Sequence, residues 1–216
     1  NGEEVVFMDD IHVSIKDANG RISLSHGNRT ALERLIKNTG LVENPAVPID
    51  SLLDWTDADE LSRLNGAEKA YYEREGRTCL PRNYPLQYVE EIMYIRGFTP
   101  ELWQKIQPSV TMLSSTGFNP NTADDAVLKA YLNIDDVSLG ILKEYISKQA
   151  IMSDTMLNHL IGRRIQDEDG VYYVPSYNMD ISLSAGKTQR LYKIKAGLNI
   201  EQSIFAPLTC LDWTEE

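Results

Sequence analysis

The sequence predicts an α+β protein in which an antiparallel sheet is drawn from both ends of the chain and a large all-helical block is inserted between them. Three observations predict it. Apolar and polar residues alternate near the start, at Ile11-His12-Val13-Ser14-Ile15, and the period of two returns after Gly170. From Asn28 to about Ile165 the apolar residues fall instead at helical spacing, as in Leu32, Leu35 and Ile36. That middle region is broken at Pro45, Pro48, Gly66, Gly76, Pro81, Pro85, Gly97, Pro100, Gly117 and Pro120, so its helices are many and short.

Taken in order, Val5-Val6-Phe7 and Ile11 to Ile15 read as strand, Asp17-Ala18-Asn19-Gly20 as a turn, and Arg21-Ile22-Ser23-Leu24 as the returning half of a hairpin. Asn28 or Thr30 is placed to cap the helix carrying Leu32, which also accounts for Asn28-Arg29-Thr30, a glycosylation sequon by letter. Further helical faces carry Leu52, Leu53 and Trp55, then Ile92, Met93 and Ile95. Residues 85–103 read as helix, tight turn, helix: Gly97 ends the first, Thr99 caps the second, and Pro100 suits its first position. Thr122 and Asp125 have capping-box spacing, so Asp124-Asp125 reads as a helix start rather than a catalytic pair. Val171 to Val174, Tyr177 to Leu183 and the run around Leu191 and Ile194 then read as strands, with Ser184-Ala185-Gly186-Lys187 as a turn. The predicted division is residues 1–27 with 166–216 for the sheet and 28–165 for the helical insert.

In its 216 residues, 21 Lys+Arg stand against 32 Asp+Glu, a net charge of −11 that repels phosphate backbones and argues against a nucleic-acid partner. No apolar run reaches the ~20 residues of a bilayer span, and the first residues lack a signal-peptide pattern, so the given residues read as a soluble chain. Two cysteines, Cys79 and Cys210, form neither a zinc pattern nor a CxxC pair. Bonded, they would close a long loop worth ~4–5 kcal/mol in the chain-entropy model. Two unpaired thiols fit equally well. His12, His26 and His159 are scattered, no nucleophile or dinucleotide motif is present, and a non-enzymatic protein is the reading that follows.

The most chemical stretch is Asp54-Trp55-Thr56-Asp57-Ala58-Asp59, followed by Gly66-Ala67-Glu68. Calcium takes six to eight oxygens, and a twelve-residue loop begun at Asp57 puts Asp59 third, Asn65 ninth and Glu68 twelfth, all oxygen-bearing. Leu61 fifth and Ser62 sixth depart from the pattern, and solvated helix ends are the plainer explanation of such acids. The 85–103 hairpin has the outline of a DNA-binding module, but Thr99 stands where a second glycine would, among Glu90, Glu91 and Glu101. An exported helix-hairpin-helix nucleic-acid-binding module is the alternative reading. Tyr71-Tyr72, Trp55, Trp103 and Trp213 could mark a binding face, although aromatics at helical spacing more often fill cores.

These segments, in this order, resemble the K-type minor pseudopilins of the bacterial type II secretion system. The likeness is carried by Asp17 to Leu24, Leu53 to Asp59, Gly66-Ala67-Glu68-Lys69-Ala70-Tyr71-Tyr72, Pro81 to Leu86 leading into Glu90-Glu91-Ile92, Arg96 to Leu102, and Phe118-Asn119-Pro120-Asn121-Thr122-Ala123, covering about Asp17 to Ala130. It implies a pilin-like sheet interrupted by a helical domain, and a non-enzymatic place at the tip of the periplasmic pseudopilus beside the I-type and J-type minor pseudopilins. It also implies contact with secreted substrate or the secretin, and an N-terminal apolar helix, outside the given residues, that anchors the protein in the inner membrane. The resemblance further implies calcium in the helical domain, held by the matching Asp57, Asp59 and Glu68, with Lys69 standing where relatives often carry an acid. The oxidising periplasm favours a Cys79–Cys210 bond.

Overall fold

The computed structural model describes residues 2–25, 27–165, 170–186, 192–200 and 208–215. Strands β1 (Val5–Met8) and β2 (Ile11–Asp17) form a hairpin through Asp9-Asp10, where Asp9 takes the left-handed conformation that a tight turn requires (φ 45°). Strand β2 pairs on its other side with β5 (Asn178–Ala185), which continues through β6 (Tyr192–Asn199) to β7 (Thr209–Glu215). The five strands run in the order β1-β2-β5-β6-β7, all antiparallel, so both ends of the described chain meet in one sheet.

The hairpin expected around Asp17-Ala18-Asn19-Gly20 does not form. Asp17 accepts the Asn19 N–H at 3.1 Å, and a single 3-10 turn (Ala18–Gly20) carries the chain out of the sheet. Strand β3 (Ile22–Ser23) instead pairs in parallel with β4 (Val110–Thr111), a second, two-stranded sheet that joins a strand of the predicted sheet region to one from within the predicted all-helical insert. Ile22 and Leu24 are buried with the helical core, not with the five-stranded sheet. Gly20 permits this: a Cβ there would lie 2.5 Å from the Thr122 carbonyl oxygen.

Among the described residues, seven α-helices follow the predicted short-helix pattern: α1 (Arg29–Asn38), α2 (Ala46–Thr56), α3 (Lys69–Arg74), α4 (Pro100–Ile106), α5 (Asp125–Leu132), α6 (Asp136–Lys148) and α7 (Asp154–Ile161). Asn28 caps α1 through the Ala31 N–H at 2.8 Å, and α1 buries Ala31, Leu32, Leu35 and Ile36, its large apolar side chains each worth about 1.5–3 kcal/mol. Thr99 caps α4 with Pro100 in its first turn, as the spacing predicts. At α5 the cap is Asp124 rather than Thr122, because the Thr122 hydroxyl is committed to Asp17 at 2.8 Å. Residues 89–94 form a 3-10 helix instead of an α-helix, held by Glu91, whose carboxylate accepts the Gln87 and Tyr88 N–H groups.

Val171 to Val174 is not a strand; Val171 makes one parallel bridge to Phe118, which stacks on Tyr131 at 4.3 Å within the helical core. Lys187 and Leu191 lie outside the described residues, as does His26. The main core is thus helical, and the helical body sits on one face of the sheet, where Leu113 packs on Gly197 and Thr111 donates to Asp180 at 3.2 Å. The opposite face carries apolar cross-strand rows, Val13–Leu183–Ile194 and Ile15–Ile181–Ala196–Trp213. Ile15 and Trp213 there are 46% and 54% exposed. Between sheet and body runs an open cleft of about 1110 Å³ whose lining, among the described residues, includes Lys16, Arg21, Trp103, Asp180 and Asp212 but no histidine or cysteine.

Candidate metal centre

Helix α2 presents Asp50 and Asp54 one turn apart on its buried face and ends at Asp57, its C-cap. Both aspartates hold the connection that follows. Asp50 accepts the Asn65 backbone and side-chain N–H groups at 3.2 and 3.1 Å and pairs with Arg29 at 2.5 Å. Asp54, with a fully buried side chain, accepts the Arg63 backbone N–H at 3.1 Å and its guanidinium at 2.7 Å. The Arg63 guanidinium also pairs with Asp57. The loop therefore folds back over the end of α2 and delivers Glu68, immediately before α3, into the same place.

Asp54, Asp57 and Glu68 each offer a carboxylate oxygen within 4.8 Å of the others. The structure brings together Asp57 and Glu68, the first and twelfth residues of the predicted loop. It does not bring Asp59, which points outward and spends its carboxylate on the Leu61 N–H at 2.8 Å. Asp54 takes the third place; its signal was its position three residues before Asp57, one helical turn away on the face that turns inward. Asn65 serves Asp50 instead of the centre, and Lys69 pairs along α3 with Glu73 at 3.8 Å. Gly66 is required here: its Cβ would fall 1.9 Å from Asp54 Oδ2.

Glu68 is 3% exposed, yet neither of its carboxylate oxygens has a hydrogen-bond partner among the described residues, and the same holds for Asp57 Oδ1. Burial raises the Glu68 pKa to about 7, helped by the negative charges of Asp54, Asp57, Asp59 and Glu60. Three orphaned oxygens in an oxygen-only donor set are what a hard divalent cation fits, and the centre passes that test. Without a cation the folded state holds the Glu68 proton more tightly than the unfolded chain does. The Glu68 contribution to stability in chelator is then expected to be fully present below about pH 4.5 and to be lost as pH rises toward 7, by up to ~3 kcal/mol. Glu68→Gln should remove this slope in melts between pH 4.5 and 8; an identical slope would show that another group titrates.

The other predicted residues lie elsewhere. Cys79 and Cys210 are both free: Cys79 packs against the helical core, while Cys210 is exposed on β7, in the five-stranded sheet, and the expected bond is not formed. Trp55 and Tyr72 are core residues in edge-to-face contact at 5.2 Å. His12 lies on β2 and His159 on α7.

Residues 13–115 match the family model described as type II secretion system (T2SS), protein K. The chain is 32% identical over 122 residues to the type II secretion system protein K of Klebsiella pneumoniae and 30% identical over 125 residues to that of Aeromonas hydrophila. These matches take in 54% and 55% of the chain but only 37% and 38% of the relatives' own length. In fold, the whole chain superposes on 83% of a chain in the crystal structure of the GspK-GspI-GspJ complex from the type 2 secretion system of enterotoxigenic Escherichia coli, with a TM-score of 0.64 and 15% identity. The resemblance read from the sequence is met by the family model, by these relatives and by the fold.

Proposed function

We propose, from the premise that this chain is a relative of the type II secretion protein K family, that it is the exported portion of a minor pseudopilin, a non-enzymatic subunit that caps the tip of the periplasmic pseudopilus. The observation that carries this reading is the architecture: a sheet assembled from both chain ends with a bulky helical body on one face. A body of that size obstructs a further subunit from stacking above it, which confines the protein to one end of a fibre and leaves the body free to meet secreted substrate or the secretin. The apolar face opposite, with Ile15 and Trp213 exposed, is the surface that an apolar helix anchored in the inner membrane would cover. I-type and J-type minor pseudopilins are the proposed partners, in line with the complex in which the structural relative was crystallised.

Co-expression with those two partners is expected to yield a stable ternary complex on size exclusion. Three folded proteins that elute separately would remove the tip assignment.

Calcium is part of the proposal. Asp54, Asp57 and Glu68 would hold it, and once bound it would supply positive charge to the oxygens of Glu68 and to Asp57 Oδ1, which have no hydrogen-bond partner among the described residues. Saturation at a hundred times the dissociation constant stabilises by ~2.7 kcal/mol, or ~5–10 °C in a chain of this size. Melting with calcium and with chelator reads this directly, and equal midpoints with no metal by elemental analysis would dismiss the cation.

A further inference from the structure

We propose that Arg63 is a built-in counter-ion that holds the Asp54–Asp57–Glu68 centre closed when no metal is bound, so that a divalent cation enters by displacing its guanidinium. This rests on the calcium reading above and adds to it a regulation of the same site by the chain itself.

The Arg63 Nη1 bonds one oxygen of Asp54 at 2.7 Å and one of Asp57, joining two of the three carboxylates through a single nitrogen. A metal coordinated by those two carboxylates would have to stand beside or in place of that nitrogen, and two positive charges cannot share the position. Among the described residues, Arg63 alone forms ion pairs with this cluster; the neighbouring Arg29 is taken up by Asp50. One guanidinium satisfies part of two acids and leaves the third, Glu68, buried with both oxygens unbonded. The closed state is therefore incompletely neutralised. A divalent ion matches the cluster better than the monovalent group that occupies it.

Mobility is distributed to suit an exchange. Asp54 and Glu68 are buried and cannot withdraw, whereas the Arg63 side chain is 36% exposed and can swing into water. Its backbone N–H stays on Asp54 Oδ2, 3.1 Å away, so the loop need not come loose when the guanidinium leaves. Cation affinity is then lowered by the free energy of breaking the two ion pairs, and the centre responds only where the cation is abundant enough to overcome it.

The test compares the full chain with its Arg63→Gln variant by calorimetric titration with calcium chloride. The variant is expected to bind calcium about tenfold more tightly or better, and to melt lower than the parent in chelator. Equal or weaker binding by a folded variant overturns the role of Arg63 while the calcium reading stands. Absence of binding by both proteins overturns both. Should the variant not fold, side-chain NMR of the arginine-labelled parent decides the matter: the Arg63 Nε–H resonance must move to the position of a solvated guanidinium at calcium saturation. A resonance that stays in place refutes displacement.

Discussion

Asp17→Ala is expected to destabilise the protein by ~3–5 kcal/mol, the cost of leaving several buried donors without their acceptor. Asp17 is 2% exposed, and its carboxylate accepts five hydrogen bonds: the Asn19 N–H, the Ser176 N–H and O–H, the Asn119 amide and the Thr122 hydroxyl. Those donors come from the turn after β2, from the segment that leads into β5, and from the loop before α5. One side chain thus ties the sheet to the helical body at the point where the chain crosses between them. Urea unfolding should show a lower midpoint with an unchanged slope, and Asp17→Asn should lose less, because an amide oxygen still accepts from Ser176. A loss below 1 kcal/mol for the alanine variant would mean that the junction is held by packing alone.

Gly66→Ala is the second large effect, about 2–4 kcal/mol, together with loss of whatever cation the centre holds. The added methyl would meet Asp54 Oδ2 at 1.9 Å and the Asp50 carbonyl at 3.1 Å, and neither side can retreat. Asp54 is pinned by Arg63, and the loop backbone is pinned by the Arg96 guanidinium, which donates to the Gly66 carbonyl at 3.0 Å while lying 4.7 Å over the Tyr71 ring. The matched control is Gly76→Ala, where a Cβ meets nothing within 4 Å and only the positive φ of 68° opposes it. If Gly76→Ala cost more than Gly66→Ala, the close approach at the centre would not be what selects glycine.

The centre was partly legible before its geometry was seen. Spacing alone joins Asp57 to Glu68, because a loop of that length between two helices returns near its own start. It also nominates Asp59, and here periodicity misleads: whether an exposed loop acid turns in or out depends on local hydrogen bonding, and Asp59 is captured by the Leu61 N–H. Asp54 belongs to the helix face, and its part emerges only when that face is seen to be the one the loop covers. Arg63 carried no signal at all, since a lone cation in a loop has no periodic partner.

The same division runs through the fold. Strand and helix periods, the caps at Asn28 and Thr99 and the order of segments are local properties, set by side-chain alternation and by amides near a capping oxygen, so the sequence by itself determined them. Which way the chain goes after Asp17 is not local. A turn of Asp, Ala, Asn and Gly closes a hairpin or leaves the sheet with equal ease, and the choice falls to donors on Asn119, Thr122 and Ser176, the nearest of them about a hundred residues away. Tertiary structure likewise decided the partner of β3, the cap of α5 and the meeting of Asp54 with Glu68, because burial charges a full desolvation cost for any polar group left unpaired, and only the assembled chain shows where the partners are.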